Sequence, residues 1–132
     1  MIYLFLIYHV PTMQPAASYL PLSPAVFHIL LALADEDRHG YALMRDIEER
    51  TGGLVRVGPG MLYGSIKWLV ADGLIHEVST RSRGREREGE RRRFYRLTAH
   101  GRSVLEAEAR RLEAAVKLAR ARRVLTPKAA RS

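Results

Sequence analysis

The stretch GPGMLYGSIKWLVADGLIHEV, residues 58–78, decides the fold. After Gly58-Pro59-Gly60, the apolar residues Leu62, Ile66 and Leu69 recur at i, i+4 and i+7, the spacing of one helix face. The spacing predicts a helix over 59–73, ending near Asp72-Gly73. From Leu74 the period drops from 3.6 toward 2, so Leu74 to Val78 reads as a strand. Its expected partner is Arg92 to Leu97, across an Arg/Glu loop containing Gly84 and Gly89.

Working outward, Ser23-Pro24 is an N-cap followed by proline at the first helical position. Val26, Ile29, Leu30 and Leu33 then predict a first helix over about 24–34, closed by the acidic turn Asp35-Glu36-Asp37. His39-Gly40-Tyr41 opens a second helix, with Tyr41, Met44 and Ile47 expected on its buried face and Gly52-Gly53 stopping it after Thr51. A short link, Leu54 to Val57, leads back to residue 58. Downstream, Thr98 is an N-cap for a last helix with Gly101 in its first turn. Leu105, Leu112 and Ala119 repeat every seven residues there, Ala109, Ala115 and Val116 fill the same stripe, and Pro127 ends it. The fold class expected is mainly α with a small β-hairpin: a winged helix-turn-helix plus a long C-terminal helix. The expected organisation is an apolar extension over 1–20, the winged domain over 21–98, a dimerisation helix over 99–125 and a basic tail over 126–132.

A chain of 132 residues has room for about one domain. With 47% hydrophobic and 27% charged residues it has the composition of a packed protein. It contains no Cys, which excludes disulfides, thiolate metal sites and a cysteine nucleophile. Nothing points outside the cytosol, so a cytoplasmic location is expected. The formal charge of +8 is unevenly placed: residues 1–79 sum to −3, 80–98 to +5 and 99–132 to +6. A basic balance in so small a chain points to a polyanion or an anionic membrane surface as partner, and the placement confines that charge to the second half. Met1 to Val10 (MIYLFLIYHV) is apolar but too short to span a bilayer, for which about 20 residues are needed. No stable membrane insertion is expected. Three readings of this segment stay open: an over-extended start with Met13 as initiator, an arm packed on the domain or its partner, or an interfacial anchor.

The order helix, helix, helix, hairpin, long helix carries its own mechanism. The third helix enters the major groove of double-stranded DNA, and the basic hairpin touches the flanking backbone or minor groove. There is no Asn, and the only Gln, Gln14, lies outside the domain, so the bidentate amide contact to adenine is missing. Base readout then falls to Lys67, to the hydroxyls of Ser65 and Tyr63, to Met61 against thymine methyls, or to an arginine in the minor groove, with a large share of shape readout. Arg83, Arg85, Arg87, Arg91, Arg92 and Arg93 are the expected phosphate contacts of the wing, against the plainer reading of a solvated loop. Tyr63 and Lys67 have an ordinary surface role or interdomain packing as their alternative. Trp68 has three readings: packing on the long helix, contact with DNA, or the wall of a ligand pocket for a small hydrophobic effector.

The stripe Leu105, Ala109, Leu112, Val116 and Ala119, flanked by Arg110, Arg111, Glu113 and Lys117, suits a helix of a second copy better than the chain's own domain. A homodimer is expected. An enzyme is not: the five histidines are dispersed without metal-ligand spacing, and Gly58-Pro59-Gly60 lacks the Gly-Lys-Ser/Thr ending of a phosphate loop. No metal or cofactor is implied. A winged module that binds protein instead of DNA is the rival from another class.

Residues 22–125 resemble the PadR family of bacterial transcriptional regulators, in its shorter form with one C-terminal helix. The resemblance rests on an ordered set of runs: His39-Gly40-Tyr41-Ala42-Leu43, Gly58-Pro59-Gly60-Met61-Leu62-Tyr63, Leu69 with Asp72-Gly73-Leu74-Ile75, and Arg93 through Gly101. It implies a cytoplasmic homodimer on a palindromic operator, most often a repressor, released in some members by a small molecule. It places the groove-entering helix at 59–73 and the family's tyrosine at Tyr63. Trp68, the apolar extension before Pro21 and the heavily charged wing from Arg85 to Arg93 depart from the family's pattern.

Overall fold

The computed structural model describes residues 14–78 and 93–127. A 3-10 turn, Ala16–Tyr19, precedes helix α1 (Pro24–Ala32), strand β1 (Arg38–His39), helices α2 (Gly40–Arg50) and α3 (Pro59–Ala71), strands β2 (Ile75–Val78) and β3 (Phe94–Leu97), and helix α4 (Ala99–Ala121). This is the winged helix order expected from the sequence, with a small sheet and a long last helix.

The caps form as their residue types dictate. Ser23 Oγ accepts the Val26 N–H at 3.2 Å, with Pro24 in the first turn of α1. Thr98 Oγ1 accepts the Gly101 N–H at 2.9 Å and lies 2.6 Å from the Gly73 carbonyl oxygen, which ties the start of α4 to the end of α3. Gly73 makes that junction possible with a φ of +76°, a conformation that costs a residue with a Cβ. At α2 the cap is His39, whose Nδ1 accepts the Ala42 N–H at 3.2 Å.

Two expectations need correction. The sheet has three strands in the order β1-β3-β2, all antiparallel, where a two-stranded hairpin was expected. Ile75 pairs with Leu97 and Val78 with Phe94, and on the other edge of β3 Arg38 pairs with Tyr95 and His39 with Phe94. A two-residue strand has no alternation to read, so only its partner reveals it. The second correction concerns α2. Its buried face is Gly40, Leu43 and Ile47, not Tyr41, Met44 and Ile47; Tyr41 is 59% exposed and Met44 half-buried. Pairing of His39 with β3 sets the rotation of the helix that follows, and Gly40 lands beneath the ring of Tyr63. A Cβ at Gly40 would come within 2.6 Å of the Tyr63 oxygen.

The core is continuous through all helices and the sheet: Ile29 and Leu30 of α1, Leu43 and Ile47 of α2, Leu62, Ile66 and Leu69 of α3, Leu74, Ile75 and Leu97, and Val104 and Leu105 of α4 are all buried. The acidic turn after α1 is clamped by three arginines. Arg38 Nε donates to the Ala32 carbonyl at 2.7 Å, and its Nη2 lies 3.1 Å from Glu36 and 3.7 Å from Asp46. Arg96 makes a two-pronged contact with Asp37 at 2.9 and 2.8 Å, and Arg102 donates to the Ala34 carbonyl at 2.8 Å.

Candidate nucleic-acid interface

Helix α3 sorts its side chains into three sectors. Leu62, Ile66 and Leu69 are buried at 4% exposure or less and hold the helix down. On one flank stand Met61, Ser65 and Trp68, spaced four and three residues apart and therefore stacked along the axis. They face the segment from Tyr19 to Val26 and, with it, line a cavity of about 400 Å³. Opposite the core stripe the helix presents Gly60, Gly64 and Lys67, all exposed, and nothing lies within 4 Å of where a Cβ at either glycine would sit. Lys67 is thus the long polar side chain on a face otherwise nearly bare.

Tyr63 lies between the bare face and the core. It is 50% exposed, and its ring closes over Gly40 at the start of α2. Of the four helix residues expected to read bases, the structure therefore places Lys67 outward, Tyr63 against α2 at the rim, and Met61 and Ser65 beside Trp68 on the cavity flank. Sequence periodicity identified the buried stripe but could not say which flank the preceding chain would cover.

Among the wing arginines only Arg93 falls within the described residues. It is well exposed and stands 3.6 Å from Glu77 across the β2–β3 pair. Arg83, Arg85, Arg87, Arg91 and Arg92 lie outside the described residues, as do residues 1–13 and 128–132. Arg96, on the same strand as the wing, is held by Asp37, which pushes its guanidinium still higher than usual. Tyr95, beneath the sheet, is shifted up by burial, with the Glu77 carboxylate adding to the effect.

Helix α4 divides at Glu108. Before it, Gly101, Val104 and Leu105 are buried; after it no residue of the helix is. The proposed dimer stripe therefore needs one correction: Leu105, 6% exposed, belongs to the core of its own domain. Ala109 is exposed, Leu112 and Val116 are 37% and 43% exposed, and Ala119 is half-buried. Glu108 itself is a residue that sequence reasoning missed. It is 1% exposed, accepts the Leu22 N–H at 2.6 Å, and pairs with the Arg111 guanidinium. Arg111 holds its carboxyl below the ordinary value against the opposing effect of burial, with the Leu22 N–H contributing. The available signal was its position: 101, 104, 105 and 108 lie on one helix face, and Arg111 follows at i+3.

The family model for the transcriptional regulator PadR-like family matches residues 29–107. This chain belongs to that family. A transcriptional regulator of Mycobacterium tuberculosis is 41% identical over 86 residues, 65% of this chain and 73% of that protein. An uncharacterized 37.1 kDa protein in transposon TN4556 of Streptomyces fradiae is 42% identical over 81 residues, 61% of this chain, which spans only 21% of that protein's length. The fold is that of Bacillus subtilis PadR in complex with operator DNA, at a TM-score of 0.56 and 22% identity, over 66% of this chain and 47% of that one. PadR-like proteins are transcriptional regulators, so the family assigns this chain to regulation and not to catalysis. Among the described residues no helix is long and apolar enough to cross a membrane, and no group of three His, Asp or Glu side chains could hold a metal ion.

Proposed function

We propose that this PadR-like regulator binds double-stranded DNA as a homodimer, with α3 in the major groove and the Arg-rich wing on the adjacent backbone. It acts as a repressor on a palindromic operator and is released by a small hydrophobic molecule. The observation that carries the DNA reading is the outward face of α3. Gly60 and Gly64 leave the helix backbone uncovered beside Lys67, so a groove floor can approach closely while one cation reaches base edges. The Bacillus subtilis PadR structure, solved with operator DNA, supports the same use of the fold. The exposed Ala109, Leu112 and Val116, with half-buried Ala119 on the same stripe beyond Glu108, support dimerisation through α4. Two-fold symmetry then sets the two α3 helices about one DNA turn apart, ~34 Å or a multiple of it.

Fluorescence anisotropy tests this with duplex DNA from the gene's own upstream region and a scrambled duplex, each at ~50 and ~200 mM salt. The expected result is a steep salt dependence with preference for the native duplex. Lys67→Ala should lessen that preference, costing about 1–3 kcal/mol of discrimination if Lys67 reads a base. Absence of binding at low salt would favour the protein-interaction module instead.

A further inference from the structure

Helix α3 leaves one apolar flank without a cover among the described residues. Met61 is 59% exposed and Trp68 37%, although both are large apolar side chains on one line of the helix. Beside that line the chain from Pro21 to Val26 forms a second wall, and the cavity of about 400 Å³ lies between the two. Apart from Ser23 this wall is apolar: Pro21, Leu22, Ala25 and Val26. It is also latched. Tyr19 donates its phenol proton to Asp72 Oδ2 at 3.3 Å at the C-cap of α3, and the Leu22 N–H donates to buried Glu108. The groove is therefore formed before anything fills it, which lowers the ordering cost of docking.

Among the described residues, no side chain that carries a charge at neutral pH lines the cavity, so the occupant it favours is apolar and uncharged. The chain itself supplies one. Met1 to Val10 (MIYLFLIYHV) holds no Asp, Glu, Lys or Arg, and the first of these in the sequence is Asp35. Side chains such as Ile2, Leu4, Phe5 and Leu6 gain by leaving water. The run lies outside the described residues, yet its attachment lies close to the groove. Residues 11–15 link it to the 3-10 turn Ala16–Tyr19, and Tyr19 is already part of the cavity wall. Five linking residues span up to ~17 Å, close to the ~20 Å length of α3. We propose that Met1 to Val10 docks in this groove of its own chain, its apolar side chains covering Met61 and Trp68. A tether this short gives an effective concentration in the ~mM range, which favours the chain's own groove over that of a second copy at ~μM protein. One consequence rests on the DNA-binding reading above: the docked run covers Met61 and Ser65, so base readout by α3 falls to Lys67, and docking and operator affinity are coupled.

Because the chain has no Cys, two introduced cysteines report on one pair of positions at a time. Full-length variants combine Ser65→Cys with Ile2→Cys, Leu4→Cys or Leu6→Cys and are oxidised mildly, since a disulfide forms only where the two Cα atoms come within about 7 Å. The expected result is a cross-link within single chains for at least one of the three pairs, forming about tenfold faster than with Lys67→Cys on the outward face of α3. Equal rates at the two positions, or no cross-link to Ser65→Cys, would overturn the proposal. Cross-links that join two chains and rise with protein concentration would overturn it in favour of a second copy's run. Loss of the cross-link on adding phosphatidylcholine vesicles would make the run a membrane anchor instead. A mature protein whose mass begins at Met13 would remove the occupant altogether. Trp68 supplies a second readout, because as the chain's single tryptophan it gives one indole N–H resonance. The double variant Leu4→Asp, Leu6→Asp should shift that resonance relative to the natural chain, and an unchanged resonance would count against docking. The same variant should change the operator Kd several-fold by anisotropy. A natural chain that binds no duplex would sink the function proposed above and leave the cross-linking and the indole shift standing, because neither contains DNA.

Discussion

Gly101 looks out of place in the first turn of a 23-residue helix, since glycine weakens helices by about 1 kcal/mol relative to alanine. Its surroundings explain it. A Cβ at this position would run into the carbonyl oxygen of Leu74, a backbone atom already bonded to the Thr98 N–H at 3.1 Å, and would crowd Leu97. Gly101→Ala should therefore destabilise the fold despite its better helix propensity, by about 3 kcal/mol, read as a lower urea midpoint. An unchanged midpoint would mean that α4 can lift from β2 without cost. Gly40 poses a milder case, because the obstacle is the half-exposed Tyr63 ring, which can swing aside. Gly40→Ala should cost about 1 kcal/mol in stability, and its larger effect should appear in DNA affinity if the Tyr63 phenol is a contact. Anisotropy and urea unfolding on the same variant separate the two effects.

Among the elements, α3 was the most legible from sequence and α2 the most misleading. Leu62, Ile66 and Leu69 leave one phase for the helix, and the structure adopts it. In α2, the residues from 40 to 47 admit two phases, and the choice fell to the pairing of His39 with Phe94, a contact between residues far apart in the chain. Local rules succeed where hydrogen bonds run from i to i+4 and caps reach two or three residues onward. Thr98 shows this: its cap of α4 was expected from residue type and is made. Thr98→Ala should cost about 1–2 kcal/mol, since it removes that cap and the hydroxyl contact to the α3–β2 junction. Thermal unfolding would show it, and a change no larger than a few tenths would mean that water replaces both contacts.

At the scale of the whole molecule, Glu108 is where the leading segment, the domain and the long helix meet. Its folded-state carboxyl is held below its unfolded value, so its stabilisation is complete above the ordinary carboxylate range and is lost as pH falls through the lowered value. Stability should decline in acid, and Glu108→Gln should flatten that decline; a Gln variant with the same acid profile would assign it to other carboxylates. At neutral pH Glu108→Ala should cost about 2–3 kcal/mol, because the Leu22 N–H and Arg111 lose a charged acceptor. Beyond Glu108, α4 exposes Leu112 and Val116, and the double variant Leu112→Asp, Val116→Asp should leave the domain folded but monomeric by sedimentation. Dimers persisting in that variant would rule out this half of α4 as the interface.

The amino-acid order by itself determined which segments are helices, where their caps lie, and that period 3.6 gives way to period 2 after Asp72-Gly73, because those properties depend on neighbours within about one turn. It also carried the family resemblance, in short runs kept in order. Only the tertiary structure decided that Arg38 and His39 form a third strand and that Met61, Ser65 and Trp68 turn toward a cavity under the leading segment. It alone showed Leu105 inside its own domain and Glu108 as the buried acceptor that holds Leu22, 86 positions away. A helix face has no meaning until something covers it, and what covers each face here comes from a distant part of the chain.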